Sequence, residues 1–188
     1  MKRMGKALAG KVLIAAIAMG GLAQAGAQQT APDAKALHAQ ALERADAVFE
    51  AATARCDALA GTPHEICDAE ARAVKVRSQE EASAAYKNTL AAYTQARIRI
   101  ADAYHERDKT RCAALAGNDR EVCLQQARAS LVAAQADARA DRKAIEARLD
   151  AREEKLSAEY RVALQKCDAF AGAVKDGCVS TARTAYGK

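Results

Sequence analysis

The six cysteines are the residues of this 188-residue chain whose type and spacing could do chemistry. They form three pairs, with 11 positions separating the two thiols of each: Cys56 and Cys67, Cys112 and Cys123, Cys167 and Cys178. Paired thiols can bridge, bind a metal or carry redox chemistry. The spacing differs from the C-x2–4-C of structural zinc sites, and the sequence has no C-x-x-C redox motif. Disulfides are the favoured interpretation, and metal binding stays open as an alternative.

The other residues that could support catalysis are scattered along the chain. The three histidines, His38, His64 and His105, form no H-E-x-x-H motif, and a solvated first-turn position is expected for His64. The carboxylate pairs Glu80-Glu81 and Glu153-Glu154 are adjacent in sequence, so they point to different sides of a helix. The sequence contains no G-x-S-x-G elbow and no glycine-rich phosphate loop. We expect no catalytic residue, no metal site, no cofactor and no enzyme activity.

Each cysteine pair flanks a segment that predicts a tight turn between two helices. Helix-forming Ala and Leu residues precede a glycine, which is the usual left-handed helix stop. In the first copy Thr62 has the N-cap side chain, with Pro63 after it and Glu65 completing a capping box. The two helices would then form an antiparallel hairpin whose facing cysteines bridge within each pair. The predicted turn residues are Gly61, Thr62, Gly117, Asn118 and Gly172.

These turns belong to an internal repeat. Segments 55–72, 111–128 and 166–183 share the pattern [RK]-C-x-A-[LF]-A-G-x3-[DE]-x-C-x3-A-R, at spacings of 56 and then 55 residues. Self-similarity at a nearly fixed period indicates a repeated supersecondary unit. The third copy has Ala173 at the cap position and Gly177 in the first turn, so we expect its second helix to be the weakest.

The N-terminus has the layout of a secretory signal peptide, segment 1–27. Four basic residues and an apolar stretch precede two A-x-A sites, and cleavage after Ala27 is favoured. The remaining 28–188 would be one elongated helical domain with 25 Lys and Arg against 24 Asp and Glu, so the net charge falls from +5 to +1. That balance argues against nucleic acid binding. An even cysteine count after such a segment predicts the periplasm, without stable membrane insertion after cleavage.

The positions of glycine and proline predict the helices. They would span about 33–60, 63–116, 119–171 and 174–186. The predicted fold is all-α: an elongated antiparallel helical bundle or coiled coil of two long and two shorter helices, with three disulfide-stapled αα-hairpin turns. Apolar residues in helical steps predict the buried seam. They are Leu42, Val48, Phe49, Leu59, Tyr86, Leu90, Tyr93, Ile100, Tyr104, Ile145, Leu149, Leu156, Ala163 and Phe170.

At the repeat the chain resembles a group of alanine-rich exported proteins of beta-proteobacteria. The resemblance lies in recurring segments like Cys56-Asp57-Ala58-Leu59-Ala60-Gly61, with the second cysteine at Cys67. Some members carry a TolA-like cell-envelope description. The similarity covers the signal segment and the three cysteine segments, and it implies an envelope location with a stress or scaffold role. It supplies no catalytic residue.

Three functions are compatible with these features. The leading hypothesis is a non-catalytic structural or interaction protein of the cell envelope that binds an envelope protein partner. A periplasmic holdase chaperone is the first alternative, although the mature chain would lack Met and Trp. A metal-binding protein is the second alternative and requires free thiols. A homodimer formed along a coiled-coil seam stays open.

Overall fold

A computed structural model describes residues 33–188, so the predicted signal segment 1–27 lies outside the described residues. The described chain consists of five α-helices and contains no strand, and the predicted all-α class is confirmed. The helices are α1 (Ala34–Cys56), α2 (Thr62–Lys87), α3 (Leu90–Cys112), α4 (Gly117–Cys167) and α5 (Gly172–Tyr186).

The predicted long helix over 63–116 is wrong, because the chain reverses near its middle. Asn88 adopts the left-handed conformation (φ 46°, ψ 44°), which Asn tolerates better than most residues. Thr89 then caps α3, and its hydroxyl accepts a hydrogen bond from the amide of Ala92 at 3.1 Å. The break divides the predicted helix into α2 and α3, which pack against each other. The described chain therefore has five helices instead of the four predicted.

Each helix packs against the helix that follows it, and non-consecutive helices make no contact within residues 33–188. An ion pair of 2.6 Å between Arg111 and Glu70 joins the end of α3 to the start of α2. The first and second stapled turns therefore lie at the same end of the α2 and α3 pair. The third turn follows the 51 residues of α4, about 77 Å of helix further along.

The core is built from alanine and cysteine. The buried apolar residues are Ala45, Cys56, Ala71, Ala73, Ala84, Ala96, Ala101, Cys112, Ala127, Ala138, Cys167 and Ala182. The disulfides hold the bridged Cα atoms 5.6 Å apart at each turn. The side chains buried between the helices are small throughout.

Much of the predicted seam is consequently wrong. Seven of its residues are 41–56% exposed, so they do not lie buried between packed helices. They are Val48, Leu59, Tyr86, Tyr93, Ile145, Leu149 and Phe170. The other seven predicted seam residues are half-buried. Large apolar side chains therefore line the margins of the helix interfaces.

The α2–α3 turn provides a test of the fold. Thr89→Ala removes the side-chain acceptor at the start of α3 and is expected to lower the free energy of unfolding by about 1 kcal/mol. Thr110→Ala is the control, because that hydroxyl donates only to the Glu106 carbonyl one turn earlier in the same helix. Urea denaturation followed by circular dichroism measures both. Equal effects would contradict the capping role of Thr89.

Candidate interaction sites at the stapled turns

The three disulfides join the cysteines as predicted. Cys56 bonds Cys67, Cys112 bonds Cys123, and Cys167 bonds Cys178, each with a Cα–Cα distance of 5.6 Å. Residues 33–188 hold no free cysteine, so the metal-binding alternative lacks the thiols it requires. Three disulfides in one chain indicate an oxidising, extracytoplasmic environment.

The backbone of the turn is the same in all three copies. The helix ends at the first cysteine, and the amide three residues later donates to that cysteine's carbonyl oxygen. The distances are 2.8 Å for Leu59, 3.0 Å for Leu115 and 3.0 Å for Phe170. The glycine two residues further on has a positive φ of 60° or 56°. The repeat thus encodes one rigid turn three times.

The predicted capping of these turns is wrong. The first helix ends at cysteine, so the glycine does not stop it. Gly61 is instead the N-cap residue of α2 (φ 60°, ψ −142°), and Thr62 lies inside the helix. Gly117 opens α4 after Ala116, and Asn118 follows within the helix. Neither N-cap has a side-chain hydrogen bond, so α2 and α4 begin through backbone geometry alone, a few residues after the preceding helix ends.

Glycine substitutions test this geometry. Gly61→Ala is expected to destabilise the fold by about 1–3 kcal/mol, because its φ of 60° and ψ of −142° lie in a region that is essentially limited to glycine, although a Cβ would meet nothing within 4 Å. Gly177→Ala is the matched control: it also has open space, but no positive φ, and lies inside α5. That change should stabilise by about 0.5–1 kcal/mol. Thermal unfolding of both variants measures the difference, and a neutral Gly61→Ala would contradict the turn geometry.

Each stapled turn presents one large apolar side chain to solvent. These apolar tips, Leu59, Leu115 and Phe170, are 45%, 44% and 49% exposed, while the adjacent Cys56, Cys112 and Cys167 are buried. Leu59 and Phe170 were predicted to be buried, and the interpretation missed their exposure. The signal was their fixed position two residues before the turn glycine in every repeat. The position of a residue in a helix seam follows helical periodicity and needs no fixed separation from a turn glycine.

Charged side chains surround the tips. In the first turn His64 lies 3.8 Å from the Asp57 carboxylate and 4.0 Å from that of Asp68. In the third turn Lys175 contacts Asp168 at 2.8 Å, and this hydrogen bond raises the pKa of the Lys175 ammonium above its ordinary value. In the first and third turns the apolar tip therefore has charged side chains in the same turn, and a polar rim is the usual arrangement of a protein-binding surface.

A groove of about 530 Å³ runs between α2 and α3 beside the first two turns. Its floor is apolar, with Ala69, Ala73 and Val76 from α2 and Ala103 from α3. Its rim is charged. The rim residues are His64, Glu65, Asp68, Arg72, Glu106 and Arg107. Because acids and bases alternate along this rim, the groove does not select a ligand of one charge.

The remaining candidate residues do not converge. His38 stacks on Tyr86 with ring centroids 4.7 Å apart, and His105 has a buried Nδ1 without a hydrogen-bond partner in the described structure. Glu80 binds Arg99 at 3.0 Å, whereas Glu81 binds Arg77 at 2.8 Å.

The charged groups with shifted pKa values belong to ion pairs. The hydrogen bond to Glu81 raises the pKa of Arg77, and the one from Lys188 lowers the pKa of Glu153. Residues 33–188 contain no cluster of three or more His, Cys, Asp or Glu side chains that could hold a metal ion.

Comparison of the chain with protein families, with curated proteins and with solved structures gave no match. Among the described helices, none is long and apolar enough to cross a membrane. The described fold is all-helical, and three disulfides join neighbouring helices at its turns.

Proposed function

We propose that this chain is a non-catalytic interaction protein of the periplasm, exported through segment 1–27, that binds an envelope protein through its apolar tips. One observation carries the proposal: all three stapled turns hold a large apolar side chain in solvent at the same repeat position. The resemblance to exported cell-envelope proteins supports the location.

The rigidity of the turns favours binding. Ordering a flexible side chain or loop on association costs about 0.5–1.5 kcal/mol per side chain, and a preformed turn avoids much of that cost. Each tip lies within three residues of a disulfide and a backbone hydrogen bond. A rigid apolar side chain with a polar rim fits a small apolar pocket in a partner, which is how interface hot spots are arranged.

A holdase chaperone is the second candidate, and a specific observation favours it. Large apolar side chains are also exposed away from the turns, including Leu37, Val48, Val74 and Val132 at 48–59%. A holdase would use such dispersed apolar surface on many unfolded clients. The two candidates therefore differ in where on the chain the partner is bound, and in how many partners are bound.

In-cell photocrosslinking tests the proposal. A photoreactive amino acid is placed singly at Leu59, Leu115 or Phe170, and at Leu37 or Val74 as controls of similar exposure. The proposal predicts discrete adducts with the same envelope protein from the tips and none from the controls. A heterogeneous ladder of adducts from every position would favour the holdase. Adducts from the controls alone would overturn the proposal.

A further inference from the structure

The face of α4 that points away from the other helices is unpartnered over most of its length. α3 and α5 cover the opposite face, where Ala127, Ala138 and Cys167 are buried. At about 100° per residue, one outer face collects mostly small apolar side chains, all exposed, with Gln126 and Glu154 among them. This outer face comprises Val122, Ala129, Ala133, Ala136, Ala140, Ala144, Ala147, Ala151, Ala158 and Val162.

We propose that the outer face binds the same face of a second copy of this chain, with the two α4 helices antiparallel. In the register that we infer, Ala140 lies opposite Ala147 of the second copy, and Ala136 lies opposite Ala151. Alanine lines the helix interfaces within the chain, where it permits close approach. The outer face thus has the composition of an interface.

The charges beside the outer face support this register. On one flank, Asp137 comes beside Arg148 of the second copy, and Asp119 beside Lys166. On the other flank, Arg139 comes beside Asp150 of the second copy. Because the dimer has a two-fold axis, each of these attractions occurs twice. Within residues 33–188 Asp137, Arg148 and Asp150 form no ion pair, and Arg139 donates only to the neutral side chain of Gln135 at 3.3 Å.

Two pairs in this register have like charges. Arg128 comes near Arg161 of the second copy on the same flank as Arg139. Glu121 comes near Asp168 of the second copy, at the ends of the helices. Asp168 already contacts Lys175 of its own chain at 2.8 Å, which offsets the repulsion. Opposite charges therefore prevail along the interface.

A second uncovered part of α4 lies between α3 and α5, and its charges make it less favourable for self-association. Between the helices α3 and α5, Ile145 and Leu149 are 41% and 56% exposed. An antiparallel register that pairs these residues with Leu156 and Arg152 of a second copy brings Glu146 beside Glu153. It also brings Arg148 beside Lys155. This register therefore has like-charge contacts where the outer face has opposite charges, even though Glu146, Glu153 and Lys155 each contact an opposite charge of their own chain.

The register also has a consequence for the apolar tips, which rests on the proposed function. It places Gly117 level with Phe170 of the second copy, so stapled turns meet at both ends of the dimer. Each end would carry Leu59 and Leu115 from one chain and Phe170 from the other. Three weak contacts grouped on one rigid end bind a partner more strongly than separate ones.

Sedimentation equilibrium of the oxidised protein over a wide concentration range tests the dimer. Arg148→Asp should weaken dimerisation by roughly tenfold or more, because two attractions become repulsions. Adding Asp137→Arg to that variant should restore the affinity. Leu149→Ser, in the gap on the opposite face, is the control and should change nothing. A monomer at every concentration, or dissociation by Leu149→Ser alone, would overturn the proposal.

Crosslinking tests the orientation. Chains carrying Ala136→Cys and chains carrying Ala151→Cys, when mixed, should be joined by a short bismaleimide, whereas Ala136→Cys alone should not. Self-crosslinking of Ala136→Cys would indicate a parallel pair and contradict the register. These measurements involve no partner protein, so the dimer and the proposed function can fail separately. Substituting the tips with serine should leave the dimer intact.

Discussion

Reduction of the three disulfides is expected to abolish cooperative folding of the helical domain. Each bridge closes a loop of about a dozen residues, which is worth roughly 3 kcal/mol in the chain-entropy model. Three such contributions are comparable to the whole stability of a typical domain, about 5–15 kcal/mol. The alanine-rich core buries little apolar area in compensation. Far-ultraviolet circular dichroism during urea titration, with and without dithiothreitol, measures the loss.

Single-bridge variants locate the effect. Replacing Cys112 and Cys123 with alanine removes the bridge between α3 and α4, and should lower the unfolding midpoint in urea strongly. The same change at Cys167 and Cys178 should mainly release α5, which contacts α4 alone among the described helices. A reduced wild-type protein with an unchanged midpoint would show that helix packing suffices without the bridges.

Substitution of the three apolar tips is expected to have the largest effect on binding. Leu59→Ser, Leu115→Ser and Phe170→Ser together should weaken binding of the partner identified by photocrosslinking at least a hundredfold. Buried apolar anchors carry most of the energy in protein interfaces, and each tenfold change corresponds to about 1.4 kcal/mol. Stability should change by less than about 0.5 kcal/mol per site, because the tips are exposed. Isothermal titration calorimetry measures the affinity.

The control replaces three apolar side chains of similar exposure elsewhere on the chain. Leu37→Ser, Val48→Ser and Val74→Ser alter three side chains of 48–50% exposure on α1 and α2. Binding should persist in this variant. If both triple variants lose affinity equally, the apolar surface as a whole binds the partner, and the holdase becomes the better explanation.

The disulfide-stapled hairpins could be predicted because their determinants are local. Ten residues between the cysteines, with a glycine midway, admit few arrangements, and three copies repeat the same evidence of a tight turn. The reversal at Asn88 and Thr89 was not predicted, because glycine and proline were the residues used to place the helix ends. The signal in the sequence was Asn88 followed by Thr89, because Asn can end a helix in the left-handed conformation and Thr can cap the next helix.

The core could not be predicted from apolar periodicity. The helical spacing of Tyr86 and Tyr93 is compatible with either a buried seam or the margin of an interface. The same holds for Ile145 and Leu149. The packing of the helices decides between these, because the positions buried between helices hold alanine and cysteine. That arrangement is tertiary, and apolar periodicity alone does not reveal it.

The three bridges hold the stapled turns and their apolar tips in place. Peptide mapping of the protein, exported and alkylated without reduction, tests them most directly. The account predicts bridges Cys56–Cys67, Cys112–Cys123 and Cys167–Cys178 and no alkylated thiol. Alkylated cysteines, or bridges between different turns, would contradict the fold of the turns and return thiol chemistry to consideration.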